Sequence, residues 1–341
     1  MRSTQSSRRA EAGFTLIELL VSLAVTAVLI LGVLATFDFS TRMNRVQLNL
    51  ADMQQSLRIA QNEVVKLSRM TGRGSLPTNI AVQVVNNVPA STKLVATDSQ
   101  TEIQEGTDVL RLRGVFSSSL YQIDWQDPAV WTAPTGGNGS VLVRPLAAGV
   151  PQDLEALESA AKAGESLLLV TPFDVYAVAK VARTDDEGGP NLRIYFERNL
   201  NDAALGGPLI DGMISAAYIG ILEEYVFYVR KGDAADSPVL AKARMEPGSN
   251  LPYEAGSARL DLADNIYDLQ AALGFGVAGA PELRLTTLVR TDRSDPGQYL
   301  APILPATIED HAYPANHALN TTAQRRHRWR VMRTNVNLRN L

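Results

Sequence analysis

Three constellations in the chain could in principle do chemistry. Gly274-Phe275-Gly276-Val277-Ala278-Gly279 matches the spacing of a loop that cradles a dinucleotide pyrophosphate. That use requires a helix to begin at the last glycine, with its amides aimed at the phosphates. Here Pro281 and an alternating run from Glu282 to Arg290 come next, so the spacing predicts a glycine-rich hairpin. His311 and His317 lie near Glu309 and Asp310, but their spacing fits neither H-E-x-x-H nor a zinc-finger pair, and the expectation is a solvated loop. Asp185, Asp186 and Glu187 precede Gly188 and Gly189 without the alternate-ligand spacing of a calcium loop, and read as a polar turn. The chain contains no cysteine and 3 histidines, which excludes thiolate metal sites, iron–sulfur clusters, disulfides and a cysteine nucleophile. With no nucleophile elbow and no P-loop, the expectation is a protein that is not an enzyme and takes no cofactor and no metal.

One further residue is out of place in a way that points elsewhere. From Phe14 to Phe37 the chain runs FTLIELLVSLAVTAVLILGVLATF, 24 residues with one charge, Glu18. At ~1.5 Å per residue such a helix is roughly 36 Å long, enough to cross a hydrocarbon core about 30 Å thick. A carboxylate four residues into that helix costs a few kcal/mol unless it is paired, so it reads as functional. Ahead of it, Met1 to Gly13 form a short polar leader with Arg2, Arg8 and Arg9 against Glu11. A secretory signal has a shorter apolar region closed by a small-residue site, which is missing before Asp38. A plain membrane anchor fits the hydropathy but leaves Glu18 unexplained. A cut between Gly13 and Phe14 would create an α-amine four residues before Glu18, a cation that a neighbouring subunit could offer to this carboxylate.

The helix has no reason to stop at the membrane, since neither glycine nor proline occurs between Gly32 and Gly72. Met43, Val46, Leu50, Met53, Leu57, Ala60, Val64 and Leu67 recur at steps of three and four, a narrow apolar stripe on an otherwise polar helix. It could be the seam of a two-stranded coiled coil. Packing on a sheet of the same chain is preferred, because the long remainder needs a hydrophobic partner. Gly72, Gly74 and Pro77 end the helix.

After Pro77 short β-branched or alternating runs are divided by turn residues: 80–85, 109–113, 141–144, 166–171, 175–181, 192–197, 218–230, 266–275, 282–290 and 329–338. One helical insertion is expected at 153–163, with Asp153 as cap and Gly164 as stop. The last strand should bury Met332, Thr334, Val336 and Leu338 and wet Arg333, Asn335, Asn337 and Arg339. Residues 325–341 carry six arginines and no acid on a chain whose net charge is -4. Pairing within the chain or a subunit contact would use them; nucleic-acid binding is not expected of an acidic protein with its cations on one strand.

The segment Gly13-Phe14-Thr15-Leu16-Ile17-Glu18-Leu19-Leu20 resembles the processing site of type IV prepilins and type II secretion pseudopilins. Asp52 to Ala60, Leu67 to Met70, Asn265 to Gln270 and the ending Asn337-Leu338-Arg339-Asn340 resemble PilW-type minor pilins; J-type minor pseudopilins share the plan. The resemblance covers the first 70 residues well and the rest in patches. It implies an α+β pilin-like fold, a long helical spine on a mostly antiparallel β-rich head. It divides the chain into a cleaved leader (1–13), a transmembrane helix (14–37), its amphipathic continuation (38–71) and the head (72–341). It also implies cleavage between Gly13 and Phe14 by prepilin peptidase, N-methylation of Phe14, and a filament-assembly role for Glu18. The implied partners are that peptidase, the major and other minor pilins, the inner-membrane assembly platform and the lipid bilayer. The implied location is the bacterial inner membrane with the head in the periplasm, then the pilus. A pseudopilin of type II secretion and a membrane-tethered adhesin are the alternatives.

Overall fold

In the computed structural model the described residues are 15–98, 101–123, 139–147, 149–171, 175–186, 191–197, 205, 216–232, 238–249, 251–253, 259–276, 279–295 and 299–341. The chain is α+β: a long N-terminal helix is followed by a mostly antiparallel β head, as the sequence predicts. By contacts it divides into residues 1–51 and residues 52–341.

Helix α1 spans Leu16–Met70 without interruption. Among its residues 52–70, the buried ones are Met53, Leu57, Ala60, Gln61, Val64, Leu67 and Ser68. The expected stripe is therefore covered by the chain itself over this stretch. The helix stops because Gly72 and Gly74 both adopt positive φ, +78° and +105°, a region costly for a residue with a Cβ. Gly72 is tight for a second reason: an added Cβ would lie 2.1 Å from Leu341 Cδ2. The C-terminus thus folds back on the helix end, and Asn340 Nδ2 donates to the free carbonyls of Arg69 (2.9 Å) and Thr71 (3.4 Å), as helix C-termini require.

After Pro77 comes one turn of helix, α2 (Thr78–Ala81), and then β1 (Val82–Val85), β2 (Val109–Gly114) and β3 (Tyr121–Gln122). The run read as a strand from Ile80 thus begins as helix, because the Pro77 carbonyl accepts from the amides of Ile80 and Ala81. Next are β4 (Gly139–Val143), β5 (Leu146–Ala147), β6 (Val150–Pro151) and α3 (Leu154–Ala160). α3 starts where expected, with Asp153 Oδ1 accepting from the Ala156 amide at 3.1 Å, and Gly164 follows at φ +90°. Then come β7 (Ser166–Val170), β8 (Tyr176–Asp186), β9 (Leu192–Glu197), β10 (Tyr218–Arg230), β11 (Val239–Met245) and β12 (Arg259–Asp264). The remainder is β13 (Ile266–Phe275), β14 (Pro281–Arg290), β15 (Thr307–Ile308), β16 (His311–Ala312) and β17 (Trp329–Asn337).

The thirteen-residue strand β10 organises the head. Its first half pairs with β3 and β7, leading on to β8, β9 and β4; its second half pairs with β2 and β11, leading on to β1 and β12. Where the halves meet sit Glu223 and Glu224, both buried and fully partnered. Glu224 binds Arg111 Nη1 at 2.7 Å and Arg113 Nε at 2.5 Å, while Glu223 Oε2 accepts from the amides of Phe116 and Ser117 and from the Ser117 hydroxyl. Arginine's fork and backbone amides are what make a buried carboxylate tolerable. Around the first half, Leu157 of α3 packs with Leu167, Leu169, Ile194, Phe196 and Ile219. On the second half, cross-strand pairing puts Leu110, Phe227 and Lys242 on one face. Lys242 Nζ reaches Glu63 Oε1 of α1 at 2.6 Å, which sets the buried stripe of the helix on that face.

β13, β14 and β17 form a separate three-stranded sheet. The glycine-rich motif is the β13–β14 hairpin, as expected: Gly274 pairs with Glu282, and the Gly276 amide donates to Ala280. Met332 and Thr334 of β17 are half-buried and Val336 and Leu338 buried, while Arg333, Asn335 and Asn337 are exposed, the expected alternation.

Candidate processing and assembly site

Gly13 and Phe14, the residues expected at the processing site, lie outside the described residues; Thr15 and Glu18 lie within them. Thr15 precedes the first helical residue, and Glu18 is the third residue of α1. Glu18 Oε2 accepts from both the Thr15 amide and the Thr15 hydroxyl at 3.0 Å, and the Glu18 amide donates to the Thr15 hydroxyl at 3.3 Å. This reciprocal cap satisfies donors that a helix N-terminus otherwise leaves open, and the carboxylate sits at the positive end of the helix dipole. Among the described residues, no bond reaches the other oxygen, Oε1, and no cation pairs with Glu18.

The helix that carries this cap is built for lipid. Leu16, Ile17, Leu19, Leu20, Val21, Leu23, Val25, Val28, Leu29, Ile30, Leu31, Val33, Leu34 and Phe37 are all exposed. The hydroxyls of Ser22, Thr26 and Thr36 bond to carbonyls four residues back, at 2.7, 2.7 and 2.9 Å. Every hydroxyl between Glu18 and Phe37 is thereby satisfied within the helix, the condition for polar groups in hydrocarbon. Beyond it, Asp38 and Arg42 pair at 2.7 Å, where charge returns to the sequence.

The other sequence candidates resolve differently. His311 is not in a solvated loop, as the sequence suggested. Its Nδ1 lies 3.1 Å from Oδ2 of the buried Asp268, its ring stacks on Tyr313 at 4.4 Å, and His317 meets Tyr313 at 5.0 Å. The Tyr313 hydroxyl donates to the same Asp268 oxygen, and Gln270 Nε2 donates to Asp268 Oδ1 at 2.8 Å. Burial and the Asp268 charge push the Tyr313 phenol well above its ordinary value, and burial with the neighbouring His311 holds His317 low. Next to this cluster, Asp108 Oδ1 accepts from the Asn87 amide and Oδ2 from the Ala271 amide, tying β2 to β13. Burial nonetheless pushes the Asp108 carboxyl up to about 6. Sequence reasoning missed this cluster because its members come from four separate segments; the only local trace was the apolar residue at every second position of β13. Among the described residues, no group of three or more candidate ligands could hold a metal. Asp185 and Asp186 end β8 rather than forming a turn, and Glu187 to Gly189 lie outside the described residues.

Residues 8–34 match the family model described as the prokaryotic N-terminal methylation motif. No curated protein and no solved structure matches the chain. The motif, the membrane-length helix that carries it and the β-rich head after it support a structural protein, type IV pilin-like or pseudopilin, whose motif implies processing by prepilin peptidase.

Proposed function

We propose that the chain is a minor pilin of PilW type, a structural subunit of a type IV pilus. Prepilin peptidase cuts between Gly13 and Phe14 and the new terminus is N-methylated. The apolar segment of α1 holds the subunit in the inner membrane with the head in the periplasm, together with the assembly platform. The Phe14 amine of one subunit then pairs with Glu18 of another as the helix moves into the filament. In this reading the subunit joins the other minor pilins in priming assembly, stays at or near the tip, and contacts the major pilin below it. The J-type pseudopilin of type II secretion would use the same amino-terminal chemistry.

The observation that supports this reading most is Glu18 itself: one carboxylate in an apolar segment inside the methylation-motif match, with Oε1 open to a cation. Glu18→Ala should leave cleavage intact and lower incorporation into sheared filaments by roughly tenfold or more, the loss of a charge pair in a low-dielectric site. Normal incorporation of that variant would remove the assembly role. Gly13→Glu should leave an uncut precursor, visible on a gel as a band that keeps its leader.

A further inference from the structure

Among the described residues, the three-stranded sheet ends in an open edge of unusual regularity. The Asp108 amide donates to Leu269 O, and the Ala271 amide donates to Asp108 Oδ2, so residues 269 and 271 turn their polar groups away from β14. Ala271 pairs with Leu285, and Leu285 with Thr334. In an antiparallel sheet the direction alternates along each strand and across it. Even-numbered residues of β17 therefore bond to β14, which the Leu338 amide donating to Pro281 O at 3.0 Å bears out. Val331, Arg333, Asn335 and Asn337 direct their N–H and C=O groups outward, and all four are exposed.

Native sheets blunt such edges with short strands, charged side chains, bulges, prolines or a cover, and of these devices β17 has only its arginines. Three other edges among the described residues are blunted in these ways. β1 has four residues, β12 meets β11 through a register shift, and the outer edge of β13 is capped by Asp108. β17 has nine residues, no proline or glycine, and an unbroken register with β14. Cations flank it: Arg330 and Arg339 are exposed with no ion pair among the described residues, and Arg333 is more than half exposed beside Glu309.

We propose that the outer edge of β17 is a docking site for an extended, carboxylate-bearing segment of another protein, added as a further antiparallel strand. Main-chain bonds from Val331 to Asn337 supply the register, and Arg330, Arg333 and Arg339 select acidic side chains on the incoming strand. The site lies in the head and does not depend on the processing chemistry of the amino terminus.

The test is residue-level amide exchange on the full chain in detergent, with a synthetic peptide alternating Glu and Thr as probe. The peptide should slow exchange at Val331, Arg333, Asn335 and Asn337 by roughly tenfold, leaving the already bonded residues between them unchanged. A peptide alternating Lys and Thr should give no protection. Asn335→Pro removes an outward amide without touching a bond to β14, so it should abolish protection while the melting temperature stays the same. The double variant Arg330→Glu with Arg339→Glu should shift protection from the acidic to the basic peptide. No protection at millimolar acidic peptide, equal protection by both peptides, or protection already present in the chain alone through self-association would each overturn the proposal.

Discussion

Glu18 and Thr15 form a closed pair at the start of α1, and a capping box of this kind is worth about 1 kcal/mol to a helix terminus. Thr15→Val should therefore raise amide exchange over Leu16 to Leu19 several-fold in detergent, with no change in the head; unchanged exchange would show that the cap is idle. A second carboxylate responds to pH. Asp108 ionises at about 6 in the folded chain, against 3.8 for an ordinary aspartate. Between those values the folded chain holds a proton that the unfolded chain has released, so this group's contribution to stability falls as pH rises from about 4 to about 6, by up to about 3 kcal/mol. Melting temperatures of Asp108→Asn across that range should lack this decline; a parallel pH profile would remove the assignment. Glu18 is legible in the sequence because its surroundings are a continuous apolar run. Asp108 is not, because the groups that enclose it include Asn87 and Ala271, far away in the chain.

At the scale of elements, the helix and the long strands follow from local pattern, and the misses have local causes. The stripe from Met53 to Leu67 keeps its period over four turns, and each of its members there is buried. The run Val239–Met245 carries no strand signal, because alanine, lysine and arginine favour helix; seven cross-strand pairs with β10 override that preference. Arg259–Asp264 likewise becomes a strand by pairing with β11, although half its residues are charged. The stripe gives a paired prediction. Leu57→Ala, at 2% exposure, should cost about 2 to 5 kcal/mol by leaving a cavity, whereas Leu48→Ala, at 63%, should change stability little. Thermal unfolding of the full chain in detergent followed by circular dichroism would separate them; equal losses would mean that the stripe is not the packing face.

For the whole molecule, sequence alone conveys the class: an apolar helix that continues as an amphipathic one, then a β head closed by a basic strand. It does not convey how the head is joined. β10 serves two sets of partners over one unbroken run, and Tyr218 to Leu222 are as apolar and β-prone as Tyr225 to Val229. The ending of the chain takes on a physical role only in the fold, where Asn340 caps the helix and the adjoining Leu341 fills the space over Gly72. The central claim concerns the amino terminus. Mass spectrometry of the intact protein isolated from its own membranes tests it most directly. The proposed processing requires a chain that begins at N-methylated Phe14. A chain that retains Met1 to Gly13 in cells with an active prepilin peptidase would make the segment a plain anchor and contradict the assembly role of Glu18.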